Sequence, residues 1–254
     1  MKIKYALHSI DTHPLYKDFW NPVSKIWKLK FNIEPVLIVI EEKEKFVLKN
    51  YSTKYGTVVN IEPVENIPTH LQAQWARFWY TVNFLDSVCI ISDIDMFPIS
   101  KKYFVEQIEK INDENYVHLY SNFYPHFCVC YHVAKGNTFK EVLGLPDSFE
   151  GSIKEMMNHD KQGCHNHLGM EMWGLEEIFS SSRINDYILK NGKDKFTLFK
   201  RSERFDERIR RVRWGYDPNL LKEDYYIDCH SIRPYHQYKN EIEILVEQII
   251  GVNE

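Results

Sequence analysis

Val88-Cys89-Ile90-Ile91-Ser92-Asp93-Ile94-Asp95-Met96-Phe97-Pro98 is an apolar run that stops abruptly in two acidic residues. Four consecutive apolar side chains, bounded by polar ones and closed by a proline, suit a central strand covered on both faces better than a helix. Side chains two apart on a strand point to the same side, so Asp93 and Asp95 are expected to face one ligand together. Two carboxylates at the mouth of a buried sheet cost free energy unless positive charge lies near them. The simplest partner is a hard divalent cation with oxygen ligands, Mg²⁺ or Mn²⁺, which commonly carries phosphates as well.

Working outward, residues 2–10 alternate and then fill with apolar side chains, as a first strand would, and Asp11-Thr12-His13-Pro14 follows as a polar turn. The segment 15–31 spaces Phe19, Trp20, Val23, Ile26, Trp27 and Phe31 by threes and fours, the pattern of one apolar helix face, with Pro22 near its start. Residues 35–40 read as a second buried strand, ended by a charged loop over 41–45, and residues 56–61 as a third. A helix is predicted over 71–85, with Gln74, Arg77 and Thr81 along a narrow polar stripe. This alternation describes an α/β domain with a mostly parallel central sheet flanked by helices, whose ligands bind beyond the carboxyl ends of the strands. Asp93 and Asp95 lie at such an end.

Farther along, 103–111 reads as a helix and 116–120 and 127–133 as strands, while 146–170 shows no clear period. Residues 172–179 begin a helix with Glu176 and Glu177 in its first turns, where acids favour the helix dipole. Seven bases fall between Lys200 and Arg213, including Arg201, Arg204, Arg208, Arg210 and Arg211. At helical spacing they form a solvated face, or they attract an anionic acceptor such as a lipid phosphate, a charged glycan or a membrane surface. Residues 238–250 predict a closing amphipathic helix.

The 254 residues, 44% hydrophobic and 27% charged with 10 glycines, suit one globular domain with a C-terminal extension. An aromatic share of 15% suits sites that stack flat or sugar-like ligands, although filling a core is the simpler account of most of these rings. A net charge of −4, with both signs mixed, gives no reason to expect nucleic acid as partner. The N-terminus lacks a secretory apolar core, and no run of about 18 apolar residues exists, so a soluble, cytoplasmic protein is expected. Five cysteines without a scaffold spacing fit a reducing compartment.

The strand ending in Asp93-Ile94-Asp95, after a helix carrying Gln74 and Arg77 and before a late His230 in Tyr226-Ile227-Asp228-Cys229-His230-Ser231-Ile232-Arg233-Pro234-Tyr235, resembles the Asp-x-Asp motif of nucleotide-sugar-dependent glycosyltransferases of the GT-A fold. The resemblance covers most of the chain in pattern. It implies a metal-dependent glycosyltransferase that uses Mn²⁺ or Mg²⁺ and a nucleoside diphosphate sugar as donor, with a glycan or other hydroxyl compound as acceptor. Residues 1–100 would form the nucleotide-sugar half, 101–236 the acceptor half and 237–254 a C-terminal helix of one domain. Asp95 and His230 would bind the cation, with Asp93 contacting it through water or holding the ribose. Gln74, Arg77 and Arg233 would contact the nucleotide or its diphosphate, and the first loop, through His8, Ile10 and Asp11, the base and ribose. Trp173-Gly174-Leu175-Glu176-Glu177 resembles the helix start that faces the acceptor, with Glu176 or Glu177 as base and Trp173 as a stacking wall. Without that role the two glutamates are dipole-favouring acids, Trp173 is core, and His230 is a surface or capping residue.

Other readings remain open. Haloacid dehalogenase phosphatases also place two aspartates after an apolar strand, but as Asp-x-Asp-x-Thr or Val near the N-terminus. A sugar nucleotidyltransferase would carry a glycine-rich basic loop after the first strand, where Ser9-Ile10-Asp11-Thr12-His13 has neither glycine nor lysine. A nucleotide-sugar or glycan-binding module without turnover is a third possibility. His159, Cys164, His165 and His167, with Cys128, Cys130 and His132 upstream, offer zinc-type donors in a spacing that matches no familiar structural site.

Overall fold

Every residue of Val88–Ile91 is buried, and the strand it forms lies at the centre of a seven-stranded sheet. This is a computed structural model, and it describes residues 1–121, 124–200 and 207–251. The first half runs β1 (Ile3–Ile10), α1 (Trp20–Leu29), β2 (Glu34–Ile40), β3 (Thr57–Ile61), α2 (Thr69–Trp79), β4 (Val88–Ile91) and β5 (Met96–Pro98). A π-helical turn, Lys102–Glu106, leads into α3 (Gln107–Glu109), then β6 (Tyr116–His118), β7 (His132–Lys135), α4 (Gly136–Leu143) and α5 (Phe149–Met157). The remainder is β8 (His165–His167), β9 (Met170–Trp173), α6 (Leu175–Asn191), β10 (Phe196–Leu198), β11 (Arg208–Arg210), α7 (Pro218–Lys222), β12 (Asp228–His230) and α8 (Lys239–Gly251).

The large sheet has the order β10-β6-β7-β4-β1-β2-β3. Its pairings are parallel except at β7, which runs antiparallel to both β4 and β6. The chain is thus a single α/β domain built on a mostly parallel sheet with helices on both faces, as the strand and helix alternation implies. The continuous apolar runs have a direct explanation in this sheet. On β4, Val88 and Ile90 face a core shared with Trp20, Trp27 and Phe104, while Cys89 and Ile91 face a second core with Trp75, Phe78 and Phe179. Both sides of each central strand are covered, so alternation disappears from the sequence. Most of the abundant aromatic rings are spent in these two cores.

Several boundaries move for physical reasons. The predicted strand 127–133 makes no ladder over its first four residues, and pairing begins where the Tyr131 carbonyl accepts from the Leu119 N–H at 3.1 Å. The Phe127 N–H donates to Ser181 Oγ at 2.9 Å, and the Cys128 carbonyl accepts from His118 Nε2 at 2.9 Å and His132 Nε2 at 2.8 Å. Side chains have taken the backbone groups a ladder would need, and the strand starts at His132. The helix predicted over 71–85 ends at Trp79 and continues as a 3₁₀ turn, Tyr80–Phe84, which carries Gly136 tightly against it: a Cβ there would lie 2.4 Å from the Thr81 carbonyl. The segment 146–170 resolves into α5, capped by Ser148 Oγ accepting from the Gly151 N–H at 3.1 Å, and the first strand of the β8–β9 hairpin. The basic stretch is not helical over its described part. Arg208–Arg210 is a strand, and Arg201 and Arg204 lie outside the described residues.

The five cysteines are unpaired thiols. Among the described residues no helix is long and apolar enough to cross a membrane.

Candidate active site

Beyond β4 the ladder continues for one residue, with the Ser92 N–H donating to the Leu7 carbonyl at 3.1 Å. The chain then turns through Asp93-Ile94-Asp95 and enters β5, which belongs to a separate three-stranded sheet in the order β11-β12-β5. β5 and β12 are antiparallel with Met96 opposite His230, and the Ser231 N–H donates to the Asp95 carbonyl at 2.9 Å. This pairing carries His230 across 135 positions of sequence to the end of β4. β11 lies parallel to β12 with Arg210 opposite His230, so Arg211 emerges at the same edge. The register is held by Arg208, which grips fully buried Asp228 through Nε at 2.7 Å and a terminal nitrogen at 2.6 Å, while Tyr131 donates to the same carboxylate at 3.0 Å. Such a two-point guanidinium–carboxylate pair fixes orientation as well as charge.

Asp95 is the hub of the resulting cluster. Its Oδ2 lies 2.7 Å from the Arg211 guanidinium, 3.8 Å from that of Arg233 and 3.9 Å from His230 Nε2, and the residue is 5% exposed. The Arg211 guanidinium also contacts His230 Nε2, so it stands between the two side chains to which the resemblance gives one cation. Arg233 is steadied by Tyr16, whose hydroxyl accepts from it at 2.6 Å. Asp93 turns the other way. Arg77, buried on α2, donates to the Asp93 carboxylate and, at 3.2 Å, to the Ser92 carbonyl. The two aspartates therefore take different arginines, because 93–95 is a turn and the period-two rule of an extended strand does not hold across it. Three guanidinium groups face two carboxylates here, which leaves a positive centre at the carboxyl ends of β1 and β4.

That centre forms one side of a cavity of about 450 Å³, within the range of small-ligand sites. Ser9, Ile10 and Asp11 border it from the end of β1, and Gln74 and Arg77 from α2. Both polar atoms of the Gln74 amide are buried without a partner among the described residues. Asp11 is committed to the loop, accepting from the His13 N–H at 3.0 Å and from Thr69 Oγ1 at 3.0 Å. His8 is not brought to the cavity. It is fully buried below the cavity floor, with its ring 6.3 Å and 6.4 Å from those of Trp20 and Trp27, and burial, reinforced by Arg77, lowers its pKa to about 3.

The opposite wall comes from the β8–β9 hairpin and the start of α6. Gly174 adopts φ 89° as the residue before α6, a conformation suited to glycine, and this turn aims Glu176 and Glu177 at the cavity. Glu176 is 4% exposed, its Oε2 has no partner among the described residues, and burial, partly offset by Arg77, raises its carboxyl to about 7. Glu177 is also raised by burial, with His126 Nε2 at 3.5 Å and the Cys128 thiol as its neighbours. Trp173 and His167 line the cavity with their rings 4.7 Å apart and tilted by 40°, and His70 Nε2 bonds the Glu171 carbonyl at 2.8 Å to tie the hairpin to α2.

Of the residues the sequence singles out, Ile10, Asp11, Gln74, Arg77, Asp93, Asp95, Glu176, Glu177, His230 and Arg233 all border this one cavity. Arg211 was hidden in the basic stretch, and its signal was only that a run of bases occurred near His230. Among the described residues, no group of three or more His, Cys, Asp or Glu side chains is placed to hold a metal ion. In the upstream cysteine and histidine group, His132 spends its ring on the Tyr116 hydroxyl at 2.9 Å and the Cys128 carbonyl, and burial raises both the Cys128 and Cys130 thiols.

No family model matches the chain, and no curated protein matches it either. Among solved structures, the apo form of the glycosyltransferase GlyE of Streptococcus pneumoniae TIGR4 is similar with a TM-score of 0.50 at 9% identity, over 98% of this chain and 62% of that one. A second structure of GlyE gives 0.48 at 8% identity, over 98% and 60%, and the galactosyltransferase LgtC in complex with donor and acceptor sugar analogs gives 0.46 at 11%, over 96% and 95%. The chain spans about three-fifths of the length of GlyE. At these identities the likeness to the apo form concerns the fold alone, an α/β domain on a mostly parallel sheet flanked by helices, and the two lower scores add nothing to it.

Proposed function

We propose that this chain transfers a sugar from a nucleoside diphosphate sugar to a hydroxyl group of a glycan or similar acceptor. The observation that carries the reading is the content of one cavity of about 450 Å³: a positive centre of Arg77, Arg211 and Arg233 at the strand ends lines it together with Glu176, whose carboxyl burial raises to about 7. Cleaving a sugar–phosphate bond develops negative charge on the departing diphosphate, and fixed positive groups there stabilise it, each by about 3 kcal/mol. An acceptor hydroxyl must lose a proton as it attacks, and a base with a pKa near the working pH does this most effectively.

Arg77 and Arg233 then hold the diphosphate, Gln74 offers its unused amide to the nucleotide or donor sugar, and Ile10 and Asp11 border the base and ribose. Glu176 takes the acceptor proton, and Glu177 and Trp173 shape the acceptor side. The groups around Asp95 as they stand do not fit the divalent cation that the resemblance implies, because Arg211 fills the space between Asp95 and His230, Arg233 lies 3.8 Å from the same oxygen and Asp93 is turned to Arg77. The charge of the diphosphate is met instead by Arg77, Arg211 and Arg233, with no step routed through Mn²⁺ or Mg²⁺.

The test is release of free nucleoside diphosphate from a panel of nucleotide sugars, with Mn²⁺ and a set of hydroxyl acceptors. Acceptor-stimulated release from at least one donor is expected. Pyrophosphate formation from a nucleoside triphosphate and a sugar phosphate, without such release, would instead indicate a nucleotidyltransferase.

A further inference from the structure

The two aspartates of the 93–95 turn hold arginines. Arg211 gives one terminal nitrogen to Asp95, at 2.7 Å, and to His230 Nε2, Arg233 lies 3.8 Å from the same Asp95 oxygen, and Arg77 takes Asp93. Three guanidinium groups against two carboxylates leave one positive charge in excess. A divalent cation placed among them would add to that excess where Arg77 and Asp95 are each 5% exposed, and like charges repel strongly where water is scarce. A diphosphate brings the opposite sign.

The hydrogen bonds point the same way. The Nε atoms of Arg77 and Arg211 are both buried without a partner among the described residues, and both side chains border the cavity. Arg208, three residues before Arg211 on β11, is a structural arginine by contrast, with its Nε and a terminal nitrogen both taken by Asp228. Unused donors are satisfied by an acceptor, which a metal ion does not supply and phosphate oxygens do, and the planar fork of arginine matches phosphate geometry. Arg211 also has the freedom to turn toward such a group. It lies just past β11 in a turn closed by the Arg213 N–H on the Arg210 carbonyl at 3.2 Å, beside Val212, which is 80% exposed. Arg233, anchored on Tyr16 at 2.6 Å, stays behind to balance Asp95. From this geometry we infer that Arg211 takes the place that the resemblance gives to a metal ion. With Arg77 and Arg233 it binds the diphosphate and stabilises its departure without a divalent cation, and Asp95 is the seat of two arginines in place of a metal ligand. This rests on the sugar-transfer reading and names the charge that meets its leaving group.

The test is calorimetric titration of ADP, CDP, GDP and UDP into the metal-stripped full chain, once with EDTA and once with excess Mn²⁺. The nucleoside diphosphate that binds is expected to do so at least as tightly in EDTA as in Mn²⁺, because Mn²⁺ in solution cancels diphosphate charge that the arginines would otherwise meet. Arg211→Met should weaken binding in EDTA by at least about tenfold, the equivalent of one hydrogen bond between charged groups. Arg211→Lys keeps the charge but lacks the planar fork. It should lose less, and it serves as the informative variant should Arg211→Met fail to fold by circular dichroism. Binding that requires Mn²⁺ would overturn the inference and leave the nucleotide-sugar reading standing, and so would EDTA-resistant binding left unchanged in every folded Arg211 variant. If none of the four diphosphates binds under either condition, the sugar-transfer reading fails and the inference falls with it.

Discussion

Glu176→Gln is expected to lower turnover by about 10²- to 10⁴-fold, the usual contribution of a positioned base, with little change in donor affinity. Glutamine preserves the shape and the capacity to accept a hydrogen bond but cannot take a proton. The wild-type rate should rise with pH through a limb near 7, because burial holds the Glu176 carboxyl at about 7 and only its ionised form acts as a base. That limb should vanish in the variant. A second readout separates catalysis from architecture. A carboxyl whose pKa is raised in the folded protein stabilises the fold fully below its ordinary value of 4.5, and that contribution is lost as pH rises through about 7. The shift corresponds to a loss on the order of 3 kcal/mol. Glu176→Gln should therefore be more stable than the wild type at pH 8 in urea unfolding, with the advantage shrinking toward pH 5. Loss of activity with a gain in stability is the signature of a functional group held in an unfavourable environment.

Asp95→Asn should cost at least about 100-fold in the ratio of kcat to KM for sugar transfer, comparable with removing a fixed charge-stabilising group. The reason is geometric. Arg211, Arg233 and His230 converge on one carboxylate oxygen within 3.9 Å, and neutralising it releases all three from their common reference point. The arginines then repel one another in a setting where Asp95 is 5% exposed, and stability should fall by about 1–3 kcal/mol. Steady-state kinetics with varied donor, together with thermal melts, check both parts. Asp93→Asn should behave differently, since its partner Arg77 keeps a second contact on the Ser92 carbonyl and its carboxylate is about one-third exposed.

The sheet was readable because its central strands are covered on both faces, and 35–40 and 88–91 announce this through unbroken apolar runs. The Asp93 and Asp95 pair was readable for the same reason: polarity switches on abruptly where such a strand reaches the sheet edge. What the sequence does not carry is tertiary pairing. Nothing local to His230 indicates that β12 lies beside β5, and nothing local to Arg211 indicates that just past β11 it meets Asp95; both follow from a small three-stranded sheet in which β5 precedes β11 and β12 by about 110 to 130 residues, a separation no periodicity records. The basic stretch misled for the same reason, since Arg208 and Arg211 spend their charge on internal carboxylates instead of on solvent. His8 shows the complementary error. It lies on β1 short of the loop, and its ring packs against Trp20 and Trp27 in the core, while Ser9 and Ile10, farther along the strand, reach the cavity.

Isothermal titration of nucleoside diphosphates into the wild-type chain, with and without Mn²⁺, tests most directly whether the positive centre at the ends of β1 and β4 is a diphosphate site. Saturable binding of at least one nucleoside diphosphate, stronger than that of the matching nucleoside and weakened by Arg233→Met, is the predicted result. Equal binding of diphosphate and nucleoside, or no binding of either, would contradict it.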